Sequence, residues 1–162
     1  MVQDGKSQKI DETDGLPFPQ RIWAVVAIGF ALCMSVLDIN ISTVILPTLA
    51  HDFGTSDSVI TWIVNGYQLA IVVSLLSFSA LGEIFGYRKI FLSGIALFCV
   101  TSLICALSDS FWTLTTARIF QGFSASAITS VNTAQLRLIY PKTQIGRGMG
   151  INAMVIAISA AA

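Results

Sequence analysis

The pattern of apolar and polar positions divides the chain into five long apolar runs joined by short polar gaps. The runs cover about residues 22–46, 59–81, 90–107, 111–136 and 148–162. A helix needs about 20 apolar residues to cross the hydrocarbon core of a bilayer, so each run predicts a transmembrane helix, with the fifth still apolar at Ala162. Trp23 and Trp62 stand near the starts of their runs, where aromatic side chains anchor helices at the membrane interface. Pro47 is expected just past the first helix, and Asp57 or Ser58 can cap the second. Residues 1–20 are polar, of mixed charge, and contain Pro17 and Pro19, which predicts a disordered tail. The run after the tail is too long for a signal-peptide core and lacks a cleavage site.

Composition agrees with the pattern. Hydrophobic residues make up 54% of the chain and charged residues 11%, with a mean hydropathy of +0.77. A soluble domain needs far more charge on its surface. The expected fold class is therefore an all-α, multi-pass integral membrane protein, with the lipid bilayer as its main partner and no nucleic acid. The net charge of zero hides an asymmetry. Lys6, Lys9 and Arg21 precede the first run; Arg88 and Lys89 separate the second and third; Arg137, Lys142 and Arg147 separate the fourth and fifth. The gaps after the first and third runs hold no Lys or Arg. Basic residues mark the cytoplasmic side, which predicts a cytoplasmic amino terminus in a plasma membrane or bacterial inner membrane. Cys33, Cys99 and Cys105 all fall in apolar runs without a CxxC or a nearby histidine, so neither a disulfide framework nor a metal site is expected. No cofactor is implied. There is no GxSxG, no HExxH and no metal-ligand pair, which speaks against an enzyme.

Two charges break the rule that apolar runs exclude them. Arg118 lies within the fourth run and Asp38 within the first. Arginine does not shed its proton, so in a membrane it must find a carboxylate, carbonyl groups or a watery cavity. Asp38 is eight residues before Leu46, about 12 Å, and Arg118 is six after Trp112, about 9 Å. Both are expected at comparable depth in the outer half, where they can pair if the first and fourth helices are neighbours. Asp38 can gain and lose a proton while Arg118 cannot, so the pair reads either as a fixed structural bridge or as a proton-coupling device.

Other polar positions fall on the same faces. The fourth run carries Arg118, Gln121, Ala125, Thr129 and Asn132; the first carries Ser35, Asp38 and Ser42; the second carries Asn65 and Gln68. Such stripes belong against protein or a cavity, making Ser35, Ser42, Asn65, Gln68, Gln121 and Asn132 candidate cavity-lining residues. Small residues recur every four positions as Gly66, Ala70 and Ser74, as Gly122, Ser126 and Ser130, and as Ala153, Ala157 and Ala161. Rows of this kind let helix backbones approach closely. In the turn between the second and third runs, Glu83 sits at a helix carboxyl end and Arg88 and Lys89 at a helix amino end, each opposed by the helix dipole. Gly82 and Gly86 permit a tight turn there.

Together these features resemble the major facilitator superfamily, and more closely its multidrug–proton antiporter branch with fourteen spans. Leu37-Asp38 followed by Leu46-Pro47 is similar to that branch's first-helix pattern LDxTxxNxxLP, with Asn40 and Thr43 replacing its Thr and Asn. Residues Ser79 to Lys89 resemble the loop motif GxLaDrxGrkxxl, with Ser79 for the first Gly, Glu83 for the Asp, and Ile84 and Tyr87 at positions that are often basic. Arg118-Ile119-Phe120-Gln121-Gly122 with Ala125 resembles the fourth-helix motif RxxqGxgaa, and Trp62, Tyr67 and Leu69 fit the branch's second helix. The resemblance implies proton coupling through Asp38 and Arg118, and a gating motif at Gly82, Glu83, Gly86, Arg88 and Lys89. It also implies close packing at Gly66, Gly122 and Ser126, with protons and a small amphipathic, drug-like substrate as partners.

In this family inverted three-helix repeats build each half, and substrate binds between halves. The branch's fifth-helix Gly-Pro motif would follow Ala162, so the resemblance implies an amino-terminal portion, truncated in the fifth helix. Without the carboxyl-terminal half it is not expected to transport alone. Two rivals stand beside the antiporter: a facilitator or symporter of sugars or metabolites, and a non-transporting membrane module.

Overall fold

The computed structural model describes residues 18–140 and 142–161. Most of the predicted tail, residues 1–17, lies outside the described residues, as does Ala162; residues 18–20 open the first helix. The helices are α1 (Phe18–Asp52), a single turn α2 (Asp57–Ile60), α3 (Trp62–Phe85), α4 (Tyr87–Ala106), α5 (Phe111–Ile139) and α6 (Ile145–Ala161). A 3₁₀ turn at Lys142–Gln144 leads into α6. The five predicted runs correspond to α1, to α2 with α3, and to α4, α5 and α6, with no strand among the described residues.

Helix α1 continues through Pro47, which lies inside it. Proline removes one main-chain hydrogen bond, but the last turns bury apolar surface that offsets the loss. Ala50 joins Ile60, Ile63 and Leu114 in a buried cluster, with Leu46, Leu49, Phe53 and Phe111 packed around it. Gly54, at φ 59°, then ends the helix. The Thr55 amide reaches back to the Ala50 carbonyl at 3.1 Å, the arrangement by which a left-handed glycine satisfies the last carbonyl groups.

Helix α5 is the centre of the bundle, packed between α3 and α4 and flanked by α1 and α6. On one side a methyl group added to Gly122 would lie 2.4 Å from the Tyr67 main-chain oxygen and 2.9 Å from the Ala70 side chain, so α3 and α5 meet backbone to backbone. The Ser126 hydroxyl donates to the Ile71 carbonyl across this seam at 3.3 Å. Gly66 faces Ile119, and Ala70 and Ser74 are buried along the same row. On the other side, Gly94 of α4 lies against Ala127, Ile128 and the Ser124 carbonyl. Small residues allow this spacing where lipid offers no hydrophobic drive between helices.

Helix α6 packs on α1 through a different row from the expected one. Ala153, Ala157 and Ala161 are exposed. Val155 instead rests against Gly29, and the Asn40 amide donates to the Ser159 carbonyl at 3.3 Å. A four-residue spacing of small side chains marks a face able to pack closely, but the larger contacts of Asn40 and Val155 decide which face does.

Among the described residues, three stretches are long and apolar enough to cross a membrane: Pro19–Asp52, Ser58–Phe85 and Tyr87–Ala106. Helix α5 has the length, 29 residues, but turns Gln121, Ser124, Ser126 and Asn132 inward, where neighbouring helices shield them. The outer surface is apolar, with Trp23, Val44, Leu76 and Trp112 each at least three-quarters exposed. Hydroxyl groups along the helices turn back to their own main chain, among them Ser35 to Ala31, Thr101 to Leu97 and Thr129 to Ala125. This satisfies them where no water is available.

Candidate functional site

Arg21, Arg88, Lys89, Arg137 and Arg147 all fall at one end of the bundle, at the start of α1 and around the α3–α4 and α5–α6 connections. Contacts tie that end together. Arg21 donates to Gln144 at 3.1 Å and lies 5.9 Å from the Tyr140 ring centre, within cation–π range. The Gln135 amide donates to the Tyr87 carbonyl at 3.1 Å.

The α3–α4 turn consists of one residue, Gly86, at φ 95°. Its amide donates to the Gly82 carbonyl at 3.0 Å, and its own carbonyl accepts from Lys89 and Ile90. Only glycine adopts that φ without strain. Gly82 is buried against Tyr87 and Val131, while Glu83, Arg88 and Lys89 are exposed.

Near the opposite end lies the ion pair. The Arg118 guanidinium donates to Asp38 Oδ2 at 2.7 Å, and both side chains are mostly buried, at 15% and 18% exposure. Gln121, one turn along α5 and fully buried, bridges them. Its Oε1 accepts from Arg118 at 3.0 Å, and its Nε2 donates to Asp38 Oδ1 at 3.4 Å. The Cys105 thiol of α4 lies 3.7 Å from the same Oε1. Arg118 and Gln121 are three residues apart, so one face of α5 presents both to α1. A short, charge-assisted bond held by a second polar residue is the strong form of such a contact.

The other predicted cavity residues divide into two groups. Ser35 and Ser42 are buried, and the Ser42 hydroxyl donates to the Asp38 main-chain carbonyl rather than to its carboxylate. Asn132 is also buried, with Oδ1 unpartnered. Asn65 and Gln68 are exposed on α3. Gln121, expected from the sequence as a cavity-lining residue, bridges the pair. Tyr67, named in the sequence only as fitting the second-helix pattern, lines the gap beside Asp38 and Arg118. The spacing Ile63, Tyr67, Ala70, Ser74 marks one buried face of α3 and held that signal.

A helix bundle with an apolar exterior and an ion pair enclosed between two of its helices defines a polytopic integral membrane protein. The family model described as Major Facilitator Superfamily matches residues 28–162; the chain belongs to that superfamily, whose members are transporters rather than enzymes. Curated relatives include Uncharacterized transporter YebQ of Escherichia coli (strain K12), 53% identical over 93% of this chain and 33% of its own length. Drug efflux pump JefA of Mycobacterium tuberculosis (strain CDC 1551 / Oshkosh) is 33% identical over 89% of this chain and 28% of its own length. Riboflavin transporter RibZ of Clostridioides difficile (strain 630) is 31% identical over 86% of this chain and 30% of its own length. The chain thus spans about a third of the curated relatives it matches.

Proposed function

We propose that this chain is part of a proton-coupled exporter of small amphipathic compounds, of the fourteen-span antiporter branch, with its amino terminus and basic end in the cytoplasm. The observation that carries the reading is the 2.7 Å contact between Arg118 and Asp38, bridged by Gln121. Arg118 keeps its charge, so a proton arriving on Asp38 cancels one side of the pair and releases the guanidinium. That change alters what an adjoining cavity attracts, and so ties proton binding to substrate binding. Asn65 and Gln68, exposed on α3, are the polar groups placed to meet substrate or the second half of the transporter; Ser35, Ser42 and Asn132 shape the wall. Glu83, Arg88 and Lys89 would gate the basic end by pairing across halves. The efflux-pump relative supports export of drug-like molecules.

The experiment is dye export driven by an imposed proton gradient in vesicles carrying the full-length transporter, compared with Asp38→Asn. Loss of gradient-driven export in the variant is expected; undiminished export would overturn the reading. A second reading, uptake or facilitation of a metabolite, is favoured by the relative named as a riboflavin transporter, and predicts flux that follows the metabolite gradient after the proton gradient is collapsed.

A further inference from the structure

The ion pair leaves two polar atoms unused. Tyr67 is 3% exposed and its hydroxyl has no hydrogen-bond partner among the described residues; Arg118 Nε is likewise buried and unpartnered. Both residues line one small gap, together with Asp38, Ile39, Ser42, Ile63 and Val64. Its volume is about 10 Å³, at the lower edge of what one water molecule occupies. A buried hydroxyl without a partner costs stability, and native proteins usually settle such groups with ordered water.

The geometry points to a single-water site between α1, α3 and α5, held by Tyr67 and Arg118 Nε against Asp38, from which Asp38 receives its proton. The water oxygen accepts from the Tyr67 hydroxyl and the Arg118 Nε–H, and one water hydrogen is donated to the Asp38 carboxylate. Three partners are typical for a buried water. The proton arrives on a hydronium at the mouth of the gap. As the Tyr67 hydroxyl turns away, the site water's oxygen takes that proton on the freed lone pair; in the same step its O–H bond toward Asp38 breaks, the proton bonds to a carboxylate oxygen, and neutral water is left at both positions. Release reverses the bond changes: the Asp38 O–H breaks and its proton passes to the water. Once Asp38 is neutral, Arg118 still has Gln121 Oε1 and the water as acceptors, so no charge is stranded. The charged and titratable groups around Asp38 are Arg118 from α5 and Tyr67 from α3, while the Cys105 thiol of α4 lies against Gln121. Tyr67 is thus a positioning residue acting through the water.

This inference rests on Asp38 as the proton carrier, and the test separates the two. Infrared difference spectra of the purified full-length transporter, recorded across a pH titration in ordinary and ¹⁸O water, report the protonated carboxyl band that Asp38→Asn removes. They also report any water band that responds to the titration. In Tyr67→Phe, the carboxyl midpoint is expected to move by about 0.5–1 pH unit, the worth of one hydrogen bond, and the ¹⁸O-sensitive band to disappear. Both features unchanged in Tyr67→Phe, with or without a lowered melting temperature, would overturn the water site while leaving Asp38 as carrier. A wild-type spectrum in which no band assigned to Asp38 titrates would overturn both.

Discussion

A methyl group on Gly122 would collide with the main-chain oxygen of Tyr67, at 2.4 Å. The obstacle is backbone and cannot rotate aside, so Gly122→Ala must push α3 and α5 apart. We expect a loss of about 1–3 kcal/mol, the usual cost of overpacking, against a gain of about 1 kcal/mol in helix propensity. At Gly66 the opposing atoms belong to the Ile119 side chain, at 3.2 Å, and Gly66→Ala is expected to cost less. Melting temperatures of the two variants in detergent check the order.

Removing one member of the buried pair leaves the other uncompensated. Asp38→Leu and Arg118→Met are each expected to destabilise by about 3–5 kcal/mol, while the double variant recovers most of that loss. Unfolding measured for both singles and the double gives the coupling between the residues. A double variant no more stable than the singles would show that the pair does not behave as an isolated unit.

Gln121 touches both charges, so its removal can be separated from theirs. Gln121→Leu keeps the bulk but withdraws an acceptor from Arg118 and a donor from Asp38. About 1–3 kcal/mol of stability is expected to go with the unsatisfied partners. Thermal unfolding measures it, and Gln121→Ser tests whether a smaller polar group recovers any part.

At Gly86 a side chain would meet open space, yet φ is 95°. Gly86→Ala isolates the backbone cost, about 1–3 kcal/mol. Gly82→Ala carries no such backbone cost, since Gly82 is helical, but meets Tyr87 at 2.8 Å and Val131 at 2.9 Å and is expected to lose about 1–3 kcal/mol by overpacking. Expression level and melting temperature rank the two.

Orientation is open to direct labelling. In a cysteine-free background, Lys89→Cys is expected to resist a membrane-impermeant maleimide in intact cells and Asp109→Cys to react, both positions being exposed. The opposite result would invert the bundle.

Much of the architecture was legible in one dimension. The alternation of runs and gaps gave the order of the helices, and counting residues inward from Leu46 and Trp112 allowed Asp38 and Arg118 to pair, as they do. Helix rotation was less legible. The Gly122 row and the Ala153 row look alike in sequence, yet one is the tightest seam of the bundle and the other faces outward. The reason is that close approach depends on what the partner helix presents, and on α1 that is Gly29 and Asn40. Pro47 misled for a related cause: a local penalty was outweighed by the burial of Ala50 against Ile60 and Ile63, contacts that exist only once α1 meets α2 and α3. Cys105 beside Gln121 left no sequence signal at all.

The inward polarity of α5 bears on how the protein is made. A lone Arg inside the bilayer costs up to about 2.5–3.5 kcal/mol on insertion scales, the value at its centre, and Gln121 and Asn132 add to it. The helix on which every other one leans is therefore the poorest at entering lipid unaided. It needs α1 already present to supply Asp38, and α3 and α4 to shelter its flanks, so the order of emergence from the ribosome doubles as an order of assembly.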